Sequence, residues 1–208
     1  MPITDLFIAG GVVMWPLLGF SIVTVALAIE RIQFWYQVNR RQQQVIGDAL
    51  VLYQQDPYLA INKLKQNADL PLARIFLEAL ALENATLKEF SLALEGATEA
   101  EIPILRRFSA VFETIVALAP LLGLLGTVIG LIQSFGSLNL GSIDGTKTIS
   151  VTAGISKALI CTATALIVAT IALVFANTFR AYYVRQLGLI QEYSTHLEIL
   201  YQRSTLLL

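Results

Sequence analysis

The sequence predicts an all-α membrane protein with three transmembrane helices and long helical extensions outside the membrane. Hydrophobic residues make up 56% of the 208 residues and charged residues only 14%, and the mean hydropathy is +0.68. The hydrophobic residues are clustered in three runs, residues 7–29, 109–135 and 151–179. Each run is near or above the roughly 20 residues that cross a bilayer as a helix. None of the runs alternates as the strands of a membrane barrel do.

Basic residues orient the three predicted spans. They follow the first span, precede the second and follow the third: Arg31, Arg40, Arg41, Arg106, Arg107, Arg180 and Arg185. The connection 136–150 carries one lysine, balanced by one aspartate. Because short cytoplasmic segments are enriched in lysine and arginine, we expect residues 1–6 and 136–150 outside. Residues 30–108 and the tail 180–208 are then cytoplasmic, which gives an N-out, C-in topology.

Helical signals also occur between the first two spans. Asp56-Pro57 interrupts one helical pattern, and Pro71 is placed for the first turn of another. Thr86–Glu89 has the spacing of a capping box, and Pro103 predicts a kink in the helix that leads to the second span. The tail reads as a continuation of the third span.

The second span combines small residues with one polar stripe. Its glycines allow close helix packing in lipid, and they are Gly123, Gly126 and Gly130. Four other residues recur every seven positions: Glu113, Pro120, Thr127 and Ser134. Seven steps leave only about 20° of drift around a helix, so these four share one stripe. We expect the stripe to face protein or water rather than lipid. Glu113 has a second interpretation, a structural ion pair with Arg106 or Arg107 near the headgroups.

The third span is polar on two sides. Ser150, Lys157 and Thr164 share one face. The roughly opposite face carries Thr148, Thr152, Ser156, Thr170 and Asn177, with Thr162 at its edge. A helix that is polar on two sides needs protein or water on both, which favours a homo-oligomer. The simpler alternatives are that threonines bond their own helix carbonyls and that Lys157 snorkels to the headgroups.

Several classes of function are excluded by what the sequence lacks. It contains no glycine-rich phosphate loop, no nucleophile elbow and no zinc-protease helix motif, so we expect no catalytic residues, no cofactor and no enzyme. A single histidine and a single cysteine make a metal site improbable. The net charge of −1 gives no reason to expect a nucleic-acid partner. The classes of function that remain are the movement of ions and the transmission of force.

Three segments resemble the MotA/TolQ/ExbB proton channel family, and ExbB and TolQ most. Residues 9–31, AGGVVMWPLLGFSIVTVALAIER, resemble the first span of that family. Residues 118–135, LAPLLGLLGTVIGLIQSF, match its most diagnostic motif. Residues 154–173, GISKALICTATALIVATIAL, are similar to its third-span motif.

The resemblance implies a pentamer in the bacterial inner membrane whose second and third spans enclose a pore. Inside would sit the single spans of an ExbD- or TolR-like subunit with a membrane aspartate. Proton motive force would drive the assembly, and a TonB-like protein would carry force to outer-membrane transporters. A TolQ-like motor for envelope maintenance, or a non-conducting scaffold that clusters partner helices, are the alternatives.

The resemblance also assigns residues to the pore. The pore threonines of the family map onto Thr127 and Thr162, and its third-span acidic position maps onto Lys157. Glu113, Pro120, Ser134 and Thr164 are further candidates for the pore or for a structural role. Lysine is a departure from the family pattern, because an ammonium cannot relay protons while it is charged. A pore-facing Lys157 would instead bias the charge of the partner's aspartate.

Overall fold

The computed structural model describes residues 11–82, 84–136 and 145–206; side chains of 145–151, 153, 205 and 206 are not described. Within these residues all regular secondary structure is helical: α1 (Met14–Gln55), α2 (Pro57–Lys65), α3 (Pro71–Leu80), α4 (Leu87–Leu105), α5 (Ser109–Gly136) and α6 (Gly145–Leu206). The predicted external residues 1–6, most of the predicted loop, and the side chains of Thr148 and Ser150 lie outside the described residues.

Among the described residues, three segments are long and apolar enough to cross a membrane: Met14–Gln55, Leu87–Gly136, which comprises α4 and α5, and Gly154–Ser204. The all-α fold with three apolar helices is therefore confirmed. Helix α6 begins at Gly145, inside the segment 136–150 that the sequence assigned to a loop. The hydropathy run marks where a helix becomes apolar, and the helical backbone here starts six residues before that point.

The starts of the short helices follow from their capping residues. The Asp56 carboxylate accepts a hydrogen bond from the Tyr58 backbone N–H at 2.8 Å, and proline occupies the first turn of both α2 and α3. At the start of α4 the predicted capping box is present, with Thr86 N–H donating to Glu89 at 2.8 Å and Glu89 N–H donating to the Thr86 hydroxyl at 3.3 Å. Hydrogen bonds from the Thr86 side chain and then its backbone lower the pKa of Glu89.

The chain between α4 and α5 breaks a few residues after Pro103, where a kink was expected; Pro103 itself lies inside α4. Helix α4 ends at Leu105, two residues after Pro103, and Phe108 has a φ of 67°. Proline supplies no backbone N–H to the helix, and a left-handed residue cannot continue a right-handed one. The Phe108 carbonyl then accepts from Val111 and Phe112 N–H at 3.0 and 3.2 Å and starts α5.

The chain forms two compact units. The first contains Met1–Ile29 and Phe108–Thr178, and the second contains Glu30–Arg107 and Phe179–Leu208. The second unit is held by aromatic contacts: the Phe90 and Tyr201 rings stack at 4.0 Å, and the Tyr201 hydroxyl donates to the Ala85 carbonyl at 2.7 Å.

A half-buried ion pair also stabilises the second unit. The Arg74 guanidinium binds both oxygens of Glu101 at 2.6 Å, and the Glu101 side chain is 8% exposed. The same guanidinium donates to the carbonyls of Ala68 and Asp69 at 3.0 and 3.1 Å. The hydrogen bond to Glu101 is the main reason that the pKa of Arg74 is raised.

Candidate functional site: the α5–α6 pair and its two sides

Small residues bring α5 and α6 into close contact along one line, which we call the seam. A Cβ built on Gly123 would lie 2.6 Å from the Ala165 Cβ, and one built on Gly130 would lie 2.9 Å from the Ala158 Cβ. A Cβ on Gly126 would overlap the Cys161 sulfur. Backbones approach closely only where side chains are this small, so these positions set the separation of the helices.

Hydroxyl groups add polar contacts to the seam. Thr162 on α6 donates to the Gly123 carbonyl of α5 at 3.0 Å, a direct bond between the two helices. Ser134 donates to the Gly130 carbonyl at 2.8 Å, and its side chain lies against Gly154 of α6. Interhelical hydrogen bonds of this kind are worth about 0.6 kcal/mol in membrane proteins.

Helix α1 packs on one side of the seam. Val13, Met14 and Leu17 belong to one buried cluster with residues of both helices: Ile115, Ala119, Cys161, Ala165, Val168, Ala169 and Ala172. A Cβ on Gly126 would lie 3.8 Å from the Val13 Cβ. One edge of each helix of the pair is therefore covered by α1.

Lys157 lies on the side that α1 covers. A Cβ built on Gly11, three residues before α1 begins, would lie 2.7 Å from the Lys157 Cε and 3.1 Å from its Nζ. Gly11 has a φ of +76°, a conformation that glycine adopts most readily. Thr164, two turns further along α6, is half-buried and donates to the Ile160 carbonyl at 2.9 Å.

Thr127 lies on the other side. Successive residues of a helix are about 100° apart. Going around α5 from Gly126, which contacts α1, one meets first Gly130 and Gly123 in the seam and then Thr127. Pro120 and Glu113 follow at heptad spacing on this same side. On α6 the corresponding side exposes Thr152, Ser156, Thr170 and Asn177. We call this surface, away from α1, the hydroxyl face.

The hydroxyl face presents hydrogen-bond acceptors. Thr127 donates to the Leu124 carbonyl at 2.6 Å, and Thr170 donates to the Leu166 carbonyl at 2.7 Å. Because each hydroxyl proton is used within its own helix, the oxygen lone pairs are what a neighbour meets. Such a surface can accept hydrogen bonds from water or from a protonated carboxylic acid.

The structure divides the sequence-predicted residues into three places. Thr127, Pro120 and Glu113 lie on the hydroxyl face, with Thr162 half-buried where that face meets the seam. Ser134, despite its heptad spacing, is buried in the seam, because 20° of drift per heptad accumulates to about 60° between Glu113 and Ser134. Lys157 and Thr164 are on the α1 side. One polar stripe of α6 therefore lies on the α1 side, and the other is exposed on the surface of the chain.

Sequence reasoning missed three contact residues: Gly11, Gly154 and Ala158. The last two had a signal, since Gly154, Ala158 and Thr162 recur every four residues, a spacing typical of packed membrane helices. Gly11 had none, because its contact with Lys157 joins distant segments. Among the described residues no cluster of three metal-binding side chains occurs.

Comparison with known proteins identifies the family of this chain. The model of the MotA/TolQ/ExbB proton channel family matches residues 67–192, more than half of the chain. The chain belongs to this family. Putative biopolymer transport protein ExbB-like 3 of Synechocystis sp. is 56% identical over 195 residues, with 94% of this chain and 93% of that protein covered. The seam and the hydroxyl face are thus features of a multi-pass membrane protein of the MotA/TolQ/ExbB family.

More distant relatives support the same family. Putative biopolymer transport protein ExbB-like 1 of Synechocystis sp. is 37% identical, with 95% of this chain and 78% of that protein covered. The putative ExbB homolog of Methanothermobacter thermautotrophicus is 29% identical, with 81% of this chain and 60% of that protein covered. MotA/TolQ/ExbB membership indicates a transport or channel protein rather than a known class of enzyme.

Proposed function

We propose that this chain is the proton-channel and motor subunit of an ExbB–ExbD-type complex. Proton motive force would energise TonB-dependent outer-membrane transport through it. The observation that carries the proposal is the hydroxyl face, which lies on the side of the α5–α6 pair away from α1. Family membership supports the class of function, and the hydroxyl face supports the site.

The proposed complex is a homopentamer in the bacterial inner membrane, with an ExbD- or TolR-like single-span subunit inside. The hydroxyl faces line the central space, and α1 lies outside it. Thr127 accepts a hydrogen bond from the protonated aspartate of the partner span, and this bond is lost when the aspartate ionises. Protonation therefore changes how firmly the partner helix is held, which couples proton transfer to movement.

The direct test replaces Thr127 by valine, which keeps the shape and removes the hydroxyl. We expect Thr127→Val to lower energised transport while the complex still assembles. Thr195→Val is the matched control for replacing a hydroxyl by a methyl group, because Thr195 is an exposed threonine of α6 in the second unit whose hydroxyl donates to the Gln191 carbonyl of its own helix at 2.9 Å. Thr162→Val also removes the hydrogen bond to the Gly123 carbonyl. A loss of transport in this variant is therefore interpreted only together with a measurement of the stability of the α5–α6 pair. Unchanged transport in Thr127→Val and in the double variant Thr127→Val/Thr162→Val would refute the proposed site.

Assembly provides an independent check. Native mass spectrometry of the complex, captured through a tag on this chain in mild detergent, should show five copies. A stable monomer would contradict the ring.

A second candidate is a non-conducting scaffold that clusters partner helices. It is favoured by Lys157, which occupies the family's acidic position. Reconstituted complexes that assemble with a single-span partner but show no proton flux would select this candidate. The partner gene distinguishes the two roles. A partner gene for TonB-dependent uptake indicates the ExbB-like role, and one for envelope maintenance indicates the TolQ-like role.

A further inference from the structure

Charged side chains are rare in the first unit. On the described parts of α1, α5 and α6 within Met1–Ile29 and Phe108–Thr178, the charged side chains described are Glu113 and Lys157. An ionisable group in a membrane helix is costly and by default indicates function. Lys157 lies on the α1 side against Gly11, so it does not supply charge to the hydroxyl face. Glu113 is the carboxylate described on that face.

Glu113 occupies a defined place on the hydroxyl face. It is the fifth residue of α5, and its side chain is exposed. It precedes Thr127 by two heptads, which corresponds to about 40° of drift and about 21 Å along the helix. Glu113 therefore lies on the same side of α5 as Thr127 but about 40° further from the seam, with the carboxylate at the end of α5 that follows the Arg106–Phe108 break.

The structural interpretation of Glu113 predicted an ion pair. The Glu113 side chain forms no ion pair or hydrogen bond with any residue that the structure describes. Arg106, one of the expected partners, instead lies over the Tyr183 ring at 5.7 Å. A carboxylate that is exposed and has no partner within the described chain is available to exchange protons.

We propose that Glu113 is the proton-exchanging carboxylate at this end of the conduction path, an inference that rests on the proposed function. A proton that arrives along the hydroxyl face, through water, converts the carboxylate to the carboxylic acid. The acid then releases the proton to bulk water and the carboxylate is regenerated. One proton is taken up and one is released, so no other reactant is consumed.

Other titratable groups near this path are few. Within the same unit the remaining titratable side chains described are Lys157 and Cys161, and both belong to the side that α1 covers. The charged residues nearest in sequence beyond the unit are Glu30, Arg31, Arg107 and Arg180. The arginines are always protonated in the range tested, so they set the local potential without titrating. Glu30 is a carboxylate paired with Arg31 at 2.6 Å.

The test measures proton flux across pH in liposomes that contain the complex captured through a tag on this chain. Glu113→Gln keeps the shape and removes the titration, and Glu113→Asp keeps the carboxylate. The matched control is Glu99→Gln, an exposed glutamate of α4 in the other unit. We expect Glu113→Gln to lower flux per assembled complex by on the order of tenfold or more, as for loss of a proton-transfer group. Aspartate should restore most of the flux, and the control should match the wild type.

The outcomes separate this inference from the function on which it rests. Flux in Glu113→Gln with the rate and pH profile of the wild type overturns the role of Glu113 and leaves the channel intact. A wild-type complex without proton flux overturns both. If Glu113→Gln and Glu113→Asp both lose proton flux while the complex assembles normally, Glu113 does not act by proton exchange, because any carboxylate at this position should support exchange.

Discussion

The seam makes a quantitative prediction for Gly130→Ala. The added Cβ would lie 2.9 Å from the Ala158 Cβ and 3.2 Å from the Gly154 carbonyl oxygen. Carbon atoms in ordinary contact are about 3.5–4.0 Å apart, so the helices must separate locally by about 0.6–1.1 Å. Overpacking of this size costs about 1–3 kcal/mol. A gap of about 0.5–1 Å also forfeits a quarter to a half of each affected dispersion contact.

The matched control is Gly19→Ala in α1, where an added Cβ meets nothing within 4 Å. Alanine in place of glycine inside a helix is favourable by about 1 kcal/mol, and both variants receive this gain. The difference between them therefore reports the seam alone, and we expect Gly130→Ala to be less stable by about 1–3 kcal/mol. Unfolding of the detergent-solubilised protein in an SDS titration gives both free energies.

A second substitution identifies the atom responsible. Ala158→Gly removes the Cβ that the new methyl group of Gly130→Ala would meet. The double variant should therefore be more stable than the sum of the single effects predicts, with a coupling of about 0.5–3 kcal/mol. Equal stability of Gly130→Ala and Gly19→Ala, or exact additivity with Ala158→Gly, would refute close packing of α5 on α6 at this point.

Three further predictions concern other contacts. Gly11→Ala should weaken chemical cross-linking between the start of α1 and α6, because the added Cβ meets Lys157 and the φ of Gly11 is positive. Adding Lys157→Ala should restore part of the lost cross-linking. If it restores none, Lys157 does not contact Gly11. Arg74→Met should destabilise the protein by about 3–5 kcal/mol by leaving the Glu101 carboxylate buried and unpaired, and adding Glu101→Leu should recover much of this in chemical denaturation. Hydrogen bonding to the adjacent arginine lowers the pKa of Glu30 below its ordinary value of 4.5. The ionised Glu30 therefore stabilises the folded protein fully above pH 4.5, and this contribution to the free energy of unfolding is lost as pH falls through the lowered pKa. Glu30→Gln should flatten that acid limb in thermal unfolding followed by tryptophan fluorescence, and an unchanged limb would assign it to another carboxylate.

Local chemistry made much of the fold predictable from the sequence. The apolar runs located the three long helices, Asp56 and Pro57 marked a helix boundary, and Thr86 with Glu89 formed the capping box that their spacing predicted. Each of these signals depends on residues a few positions apart. The break after Pro103 was predicted only in part, since the left-handed backbone of Phe108 has no signature in a residue that is neither glycine nor asparagine.

The candidate site was harder to predict, because periodicity gives the angle between two stripes but not the neighbour that each stripe meets. The two polar sides of α6 were identified, yet only the contact of Gly11 with Lys157 shows which side α1 takes. Ser134 illustrates the same limit: its heptad spacing placed it with Thr127, and accumulated drift places it against Gly154. Tertiary contacts between distant segments decide these questions.

The position of the hydroxyl face has a genetic consequence. One chain buries its seam between its own two helices and leaves the hydroxyl face exposed, so in the proposed ring the path is lined by faces from several copies. A defective copy should therefore act on its neighbours as well as on itself. Co-expression of Thr127→Val with the wild-type chain is expected to reduce energised transport more steeply than the fraction of mutant chains, as a dominant-negative allele does. A seam variant that fails to assemble is expected to behave as a recessive allele, because it never enters the ring.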